Sequence, residues 1–146
     1  MPDPTPFDTI IDLGLTAIDD YKLKHLYDLS KERFIKQCDA YLVAAIPNFT
    51  RCRQSLDYNT QTRYFYSSLT PMEISILADL WVIEWMKHET QDSRKINALL
   101  QSSGSFKSHS AAQNLKEKTT FLDGLREKVE QKITSYQLQD IDSLSL

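Results

Sequence analysis

The sequence predicts an all-α fold, a helical bundle of about four to five helices with a long C-terminal helix and an extended loop or hairpin arm. Three observations carry that expectation. Only three glycines interrupt 146 residues, and most apolar positions recur at helical rather than strand spacing. The stretch "LTPMEISILADLWVIEWM", Leu69 to Met86, opens with several mutually consistent helix-start signals. A chain of this length is one ordinary domain and can bury a real core. The expected layout is a single domain over residues 1–138, with residues 53–67 as the loop or arm and residues 139–146 as a C-terminal tail.

The first helix is expected to open at "TPFD", with Thr5 as N-cap, Pro6 at the first helical position and Asp8 favourable in the first turn. Phe7, Ile10, Ile11, Leu15 and Ile18 then recur at helical spacing, and Asp19 and Asp20 break the run. "YKLKHLYDL", Tyr21 to Leu29, alternates for part of its length, so a short strand and an irregular link both stand open. Ser30 begins the next helix, with Leu29 and Phe34 placed for a hydrophobic staple. Its apolar face is Phe34, Cys38, Tyr41, Leu42, Ala45 and Ile46, and Pro47 stops it.

The run "NFTRCRQSLDYNTQTRYFYSS" has no helical period and reads as a long loop or hairpin, a kind of segment that is more often functional than idle. The third helix starts at Thr70 as N-cap, with Pro71 at N1 and Glu73 completing a capping box; Leu69 and Ile74 form its staple. It is expected to run to about His88. A polar break over 89–92 then precedes "SRKINALLQ", a short fourth helix or a continuation. "SSGSFKSHS" reads as a loop, and Ser110 with Gln113 offers a second capping box for a last helix from about Ala111 to Leu138. The stripe of that helix is Leu115, Leu122, Leu125, Val129, Ile133 and Tyr136, narrow as in a helix that packs on one side and projects. The tail keeps Leu138, Ile141, Leu144 and Leu146.

From Ile74 to Met86, ten of thirteen residues are apolar, and projection at 100° per residue wraps that surface almost fully round the helix. A helix that is hydrophobic all round is a buried one. Two readings of its cover stand side by side. Either the other segments wrap it, or a neighbouring subunit completes the wrapping, with Leu77, Leu80, Trp81 and Trp85 as interface residues.

Composition excludes several function classes. A net charge of −3 with no basic cluster argues against a gripped nucleic acid. The apolar window is well short of the roughly 20 residues a membrane span needs. The N-terminus lacks a basic region followed by an apolar run, so no signal peptide is expected, "NFT" reads as an accidental sequon, and Cys38 and Cys52 are expected as reduced thiols. His25, His88 and His109 are far apart in sequence. "HETQD" begins like a zinc helix but ends in Asp, and Glu84, His88 and Asp92 at helical spacing read as a solvated edge, so no metal is expected. There is no glycine-rich phosphate loop and no nucleophile elbow. Asp79 inside the apolar helix needs a partner, water or an arginine at the rim. The residues assemble no catalytic constellation and no cofactor site, and a non-enzymatic protein is expected.

The order of segments resembles that of a known family. "DYKL", "YLVAAIPNFTRC", "SLTPMEISILADLWVIEWM" and "SFKSHSAAQNLKEK", followed by a long charged helix, are similar to small head–tail connector proteins of tailed bacteriophages, the adaptor or head-completion proteins of the neck. The resemblance rests on Leu69, Thr70, Glu73, Ile74, Ile76, Leu77, Ala78, Glu84, Trp85 and Met86, then on Phe106, Ser110, Ala112, Leu115, Lys116 and Glu117, within a match from about Asp20 to Glu130. It implies a structural virion protein that forms a ring, commonly of twelve copies, between the portal protein and the next neck or tail component. The ring would extend the DNA channel and let DNA pass without specific binding. The resemblance makes Leu122, Val129, Ile133, Tyr136, Leu138, Ile141, Leu144 and Leu146 candidates for contact with portal or neighbour. It makes Tyr58, Arg63, Tyr64, Phe65 and Tyr66 candidates for loop contacts. The alternatives are a tail-completion or terminator protein and a non-viral helical adaptor that dimerises through the Trp81/Trp85 helix.

Overall fold

The computed structural model describes residues 3–18, 21–102 and 107–144, with the backbone alone at 21, 22, 96, 97, 100–102, 107–111 and 140–144. It is a mostly helical bundle, as the sequence predicts, with a long C-terminal helix. In chain order come strand β1 (Thr5–Pro6), helices α1 (Phe7–Thr16), α2 (Tyr21–Leu29) and α3 (Lys31–Ala45), and a 3-10 turn (Ile46–Asn48). Strands β2 (Tyr58–Asn59) and β3 (Tyr64–Phe65) follow, then helices α4 (Pro71–Ser102) and α5 (Lys107–Leu144).

The N-terminus departs from expectation. Thr5 and Pro6 do not open a helix; they pair antiparallel with β3, which also pairs with β2, giving the sheet order β1-β3-β2. The Thr5 hydroxyl donates to Ser67 O and accepts from the Leu69 N–H, both at 2.9 Å. The first orphan N–H of α1, on Phe7, donates to Arg63 O at 2.9 Å, so a hairpin carbonyl does the work expected of a cap. Asp19 and Asp20, the expected break, lie outside the described residues. The open segment Tyr21–Leu29 is a helix. Ser30 caps α3 through the Arg33 N–H at 3.3 Å, yet Leu29 is 71% exposed and forms no staple. Tyr27 packs edge-on against Phe34 instead.

The start of α4 follows the sequence closely. The Thr70 N–H donates to Glu73 Oε1 at 2.8 Å, and the Glu73 N–H donates to Thr70 Oγ1 at 3.3 Å, which is a reciprocal capping box. Its end does not follow. The polar residues 89–92 do not break the helix, because none is glycine or proline and neighbours satisfy them. The Thr90 hydroxyl donates to Met86 O at 2.8 Å, and Lys118 Nζ of α5 lies 3.6 Å from Glu89 Oε2. Helix α5 starts three residues before the expected Ser110 cap and runs past residue 138, where a tail was expected. Lys118 meets Ser93, Lys132 meets Asp79 and Tyr136 meets Glu73, so α5 runs antiparallel along α4 from Ser93 back to Glu73.

α4 is the axis of the fold, with α1 and α3 packed on one part of its surface and α5 on another. Its residues Ile76, Leu77, Ala78, Leu80, Trp81, Val82, Ile83, Trp85 and Met86 are all buried, as projection of the sequence implied. The chain itself supplies the cover. A Cβ on Gly14 of α1 would stand 2.6 Å from Trp81 Cε3, so α1 approaches α4 at a distance that only glycine permits. The Trp81 indole N–H donates to Cys38 O of α3 at 2.9 Å, which satisfies the one polar atom of that ring.

Candidate functional site

The four residues expected at a subunit interface are core residues. Leu77 and Trp81 are 0% exposed, Leu80 6% and Trp85 8%, because α1, α3 and α5 already occupy the space a second subunit was expected to fill. Four of the candidates for contact with portal or neighbour, Leu122, Val129, Ile133 and Tyr136, are likewise buried, facing α4. Leu138 is exposed. Leu146 and the side chains of Ile141 and Leu144 lie outside the described residues.

The hairpin of residues 58–65 does not project as an arm. The Asn59 side chain accepts from the N–H groups of Gln61 and Thr62, at 2.8 and 3.2 Å, and the Arg63 N–H donates to Asn59 O at 2.8 Å. That turn needs a left-handed residue at its end, and Arg63 takes it with φ 61°. The Arg63 guanidinium then spans to Asp39 Oδ2 of α3 at 2.8 Å and to Asp8 Oδ1 of α1 at 2.6 Å. The hydrogen bonds it donates to Asp39 first, then to Asp8, hold it firmly protonated. Phe65 is fully buried beside Phe7, and Tyr58 packs on both. Of the five expected loop contacts, Phe65 is core, Arg63 is a clamp, Tyr58 is half-buried, and Tyr64 and Tyr66 face solvent.

The most elaborate polar constellation lies where the 51–57 segment crosses the start of α4 and the far part of α5. Glu73 is 1% exposed and collects four donors. The Thr70 N–H and Gln54 Nε2 reach Oε1 at 2.8 and 2.6 Å, and the Tyr136 hydroxyl and Cys52 thiol reach Oε2 at 2.7 and 3.4 Å. Burial pushes the Glu73 carboxyl up, but the bonds from Thr70, Tyr136, Gln54 and Cys52 outweigh it and hold its pKa below the ordinary carboxylate value. Burial and the adjacent Glu73 push the Cys52 thiol and the Tyr136 phenol upward. Both stay protonated and donate, so neither is a nucleophile at neutral pH. Arg53 closes the arrangement: its N–H donates to the Tyr136 hydroxyl at 2.9 Å, its Nη1 donates to Tyr136 O at 3.0 Å, and its guanidinium stacks 3.9 Å from that ring's centroid. This is a latch that ties the irregular segment to both long helices. Sequence reasoning missed Arg53, Gln54 and Cys52, and nothing local in the sequence marks residues whose partners stand 19 to 83 positions away.

Asp79 finds its cation in Lys132 of α5, at 2.6 Å, rather than in an arginine. Among the described residues the group able to hold a metal is His88, Glu89 and Asp92, with ligand atoms within 4.8 Å of one another. The Lys118 ammonium beside Glu89 competes with any cation there. Glu84, expected to share that face, instead pairs with Lys87 at 2.9 Å and accepts from Asn48 Nδ2 at 3.2 Å.

Beyond the body, α4 continues to Ser102 and α5 begins at Lys107. None of residues 94, 95, 98, 99 and 112–121 is buried, and Leu99 and Phe121 are 70% and 49% exposed. Shallow concavities follow the α4–α5 seam. One, of about 270 Å³, is floored by Leu80, Ile83, Val129 and Ile133. A second of about 270 Å³ lies nearer the helix tips and is lined by Lys87, Arg94, Arg126, Asp123, Thr119 and Leu122 among others. No helix among the described residues is long and apolar enough to cross a membrane. Protein-family models, curated proteins and solved structures were all compared with this chain, and none matches.

Proposed function

We propose that this chain is a structural subunit of a bacteriophage neck, a connector that assembles as a ring of about twelve copies between the portal and the next neck or tail component. The observation that carries the reading is a body sealed by its own residues joined to a two-helix extension in which residues 94, 95, 98, 99 and 112–121 are none of them buried. A sealed body suits a subunit that folds alone in the host cytoplasm and assembles later on a template. The extension, with exposed Leu99 and Phe121, suits contact with portal or neighbour, and Tyr64 and Tyr66 supply a second exposed surface at the hairpin. The segment-by-segment resemblance to connector proteins supports the same reading. Protonated Cys52 and Tyr136, turned inward on Glu73, suit a structural rather than a catalytic role. The small overall negative charge suits a conduit through which DNA passes unheld.

Two alternatives draw less support. A tail terminator of α/β type accords poorly with strands of two residues each. A dimerising adaptor built on Trp81 and Trp85 lacks its surface, because both side chains are inside the body.

The test is the mass of the purified protein with and without portal protein, measured by light scattering or native mass spectrometry. The proposal expects weak self-association alone and about twelve copies in complex with portal. A stable dimer indifferent to portal sinks it.

A further inference from the structure

The charges of the chain are unevenly placed. α1 carries Asp8 and Asp12 and no cation. Asp39 of α3 lies with them, since one guanidinium, that of Arg63, reaches both Asp39 and Asp8, and Asp12 stands one turn along α1 from Asp8. Among the described residues Arg63 is the cation bonded to this group, and it serves Asp39 and Asp8, so these three carboxylates and one guanidinium sum to a negative charge. Leu13, beside Asp12, is 44% exposed. The surface is thus a row of carboxylates with an exposed apolar residue about 100° round the helix from Asp12.

The distal seam groove has the opposite character. Lys87, Arg94 and Arg126 line it against one carboxylate, Asp123, and Leu122 lies in its wall. Lys87 and Arg126 pair with Glu84 and Asp123, while Arg94 makes no ion pair with any described residue. One chain cannot join its own two surfaces. α1 is held to α4 at Gly14 and Trp81, and Trp81 stands about 20 Å from Arg94 along a continuous helix at 1.5 Å per residue.

We propose that the occupant of the distal α4–α5 groove is the acidic α1 face of a second copy of this chain, with Leu13 entering between Lys87, Arg94 and Arg126. Two different surfaces of one rigid body make a head-to-tail contact, and such contacts repeat until they close a ring or run on as a filament. The inference rests on the connector reading and names the joint between its subunits.

Charge reversal tests it without touching the core, because Asp12 and Arg94 are both exposed and neither makes a hydrogen bond or ion pair among the described residues. Self-association of the full chain is measured by sedimentation at low and high salt, with helical content checked by circular dichroism. Wild type is expected to associate at low salt and to lose about tenfold or more in association at high salt, as screening shortens the reach of its charges. Asp12→Lys alone and Arg94→Glu alone are each expected to fall by about tenfold or more, since each sets like charges against each other. An equimolar mixture of the two variants regains association, because every joint of an alternating assembly is again complementary. A monomeric wild type at low salt overturns the inference, as does failure of the mixture to recover. Arg94→Glu losing affinity for duplex DNA while Asp12→Lys self-associates normally also overturns it, in favour of a nucleic-acid surface. Adding portal separates the two proposals. If both variants form full rings on portal, the connector reading stands and this joint falls. If the mixture recovers but wild type ignores portal, the joint stands and the connector reading falls.

Discussion

Glu73→Gln keeps the volume of a fully buried side chain and removes its charge, so its effect isolates the latch. The carboxylate receives the Thr70 N–H, Gln54 Nε2, Tyr136 O–H and Cys52 S–H. Glutamine keeps one acceptor oxygen for Thr70 and Gln54 but turns an NH₂ toward Tyr136. The phenol oxygen already accepts the Arg53 N–H, and its proton is left with only the Cys52 sulfur, a weak acceptor 4.0 Å away. A hydrogen bond to a charged group is worth about 1.5–3 kcal/mol, and leaving a buried donor unmatched costs about as much. The expected loss at pH 7 is therefore about 2–3 kcal/mol, which for a chain of this size lowers Tm by roughly 5–10 °C. The sign with pH follows from the depressed folded pKa. That contribution is fully present above the unfolded carboxylate value of about 4.3 and fades as pH falls through the lower folded value. The gap between wild type and variant should then narrow, because the other carboxylates titrate in both and cancel in the difference. Urea unfolding of both proteins from pH 7 to pH 3 is the assay. Equal stability at pH 7, or a gap that stays constant to pH 3, would refute the account of Glu73 as an ionised hub.

Gly14→Ala should destabilise by about 1–3 kcal/mol through overpacking against Trp81, where the same change in an open helix gains up to about 1 kcal/mol; chemical denaturation reads the sign. Trp85→Ala should cost the isolated chain about 3–5 kcal/mol, as for a core aromatic, and a melt of the unassembled protein showing little change would return Trp85 to an interface. The Cys38 thiol, pushed up to about 12 by burial, should react with a thiol reagent at pH 8 only after unfolding. Truncation after Gln137 leaves Tyr136 and its partners in place and removes exposed Leu138, so cooperative unfolding should persist while attachment to portal weakens; loss of cooperativity contradicts it.

Local chemistry made much of the fold legible. The capping box at Thr70 and Glu73 and the Ser30 cap involve atoms three residues apart, so spacing alone locates them. Proline at position 47 and the apolar periodicity of α3 and α5 act equally locally. Other readings failed where a distant partner overrode a local signal. Thr5 has the chemistry of an N-cap, yet its hydroxyl serves Ser67 and Leu69. The polar run at 89–92 has the composition of a break, yet Lys118 covers it. In the candidate sites, sequence identified Tyr64 and Tyr66 among the loop residues but could not separate them from Phe65, which turns to the core.

By itself, then, the sequence determined a helical bundle, the start of its central helix, and an apolar surface on that helix too wide to stay wet. Those properties follow from propensity, capping and periodicity, which act over a few residues. Only the tertiary structure decided what covers the helix. The answer is the chain's own α1, α3 and α5, because Gly14 admits Trp81 at close range and the Glu73–Tyr136 and Asp79–Lys132 pairs hold α5 against α4. Those contacts join residues tens of positions apart, and which of several apolar or charged side chains meets which is settled by packing the helices together.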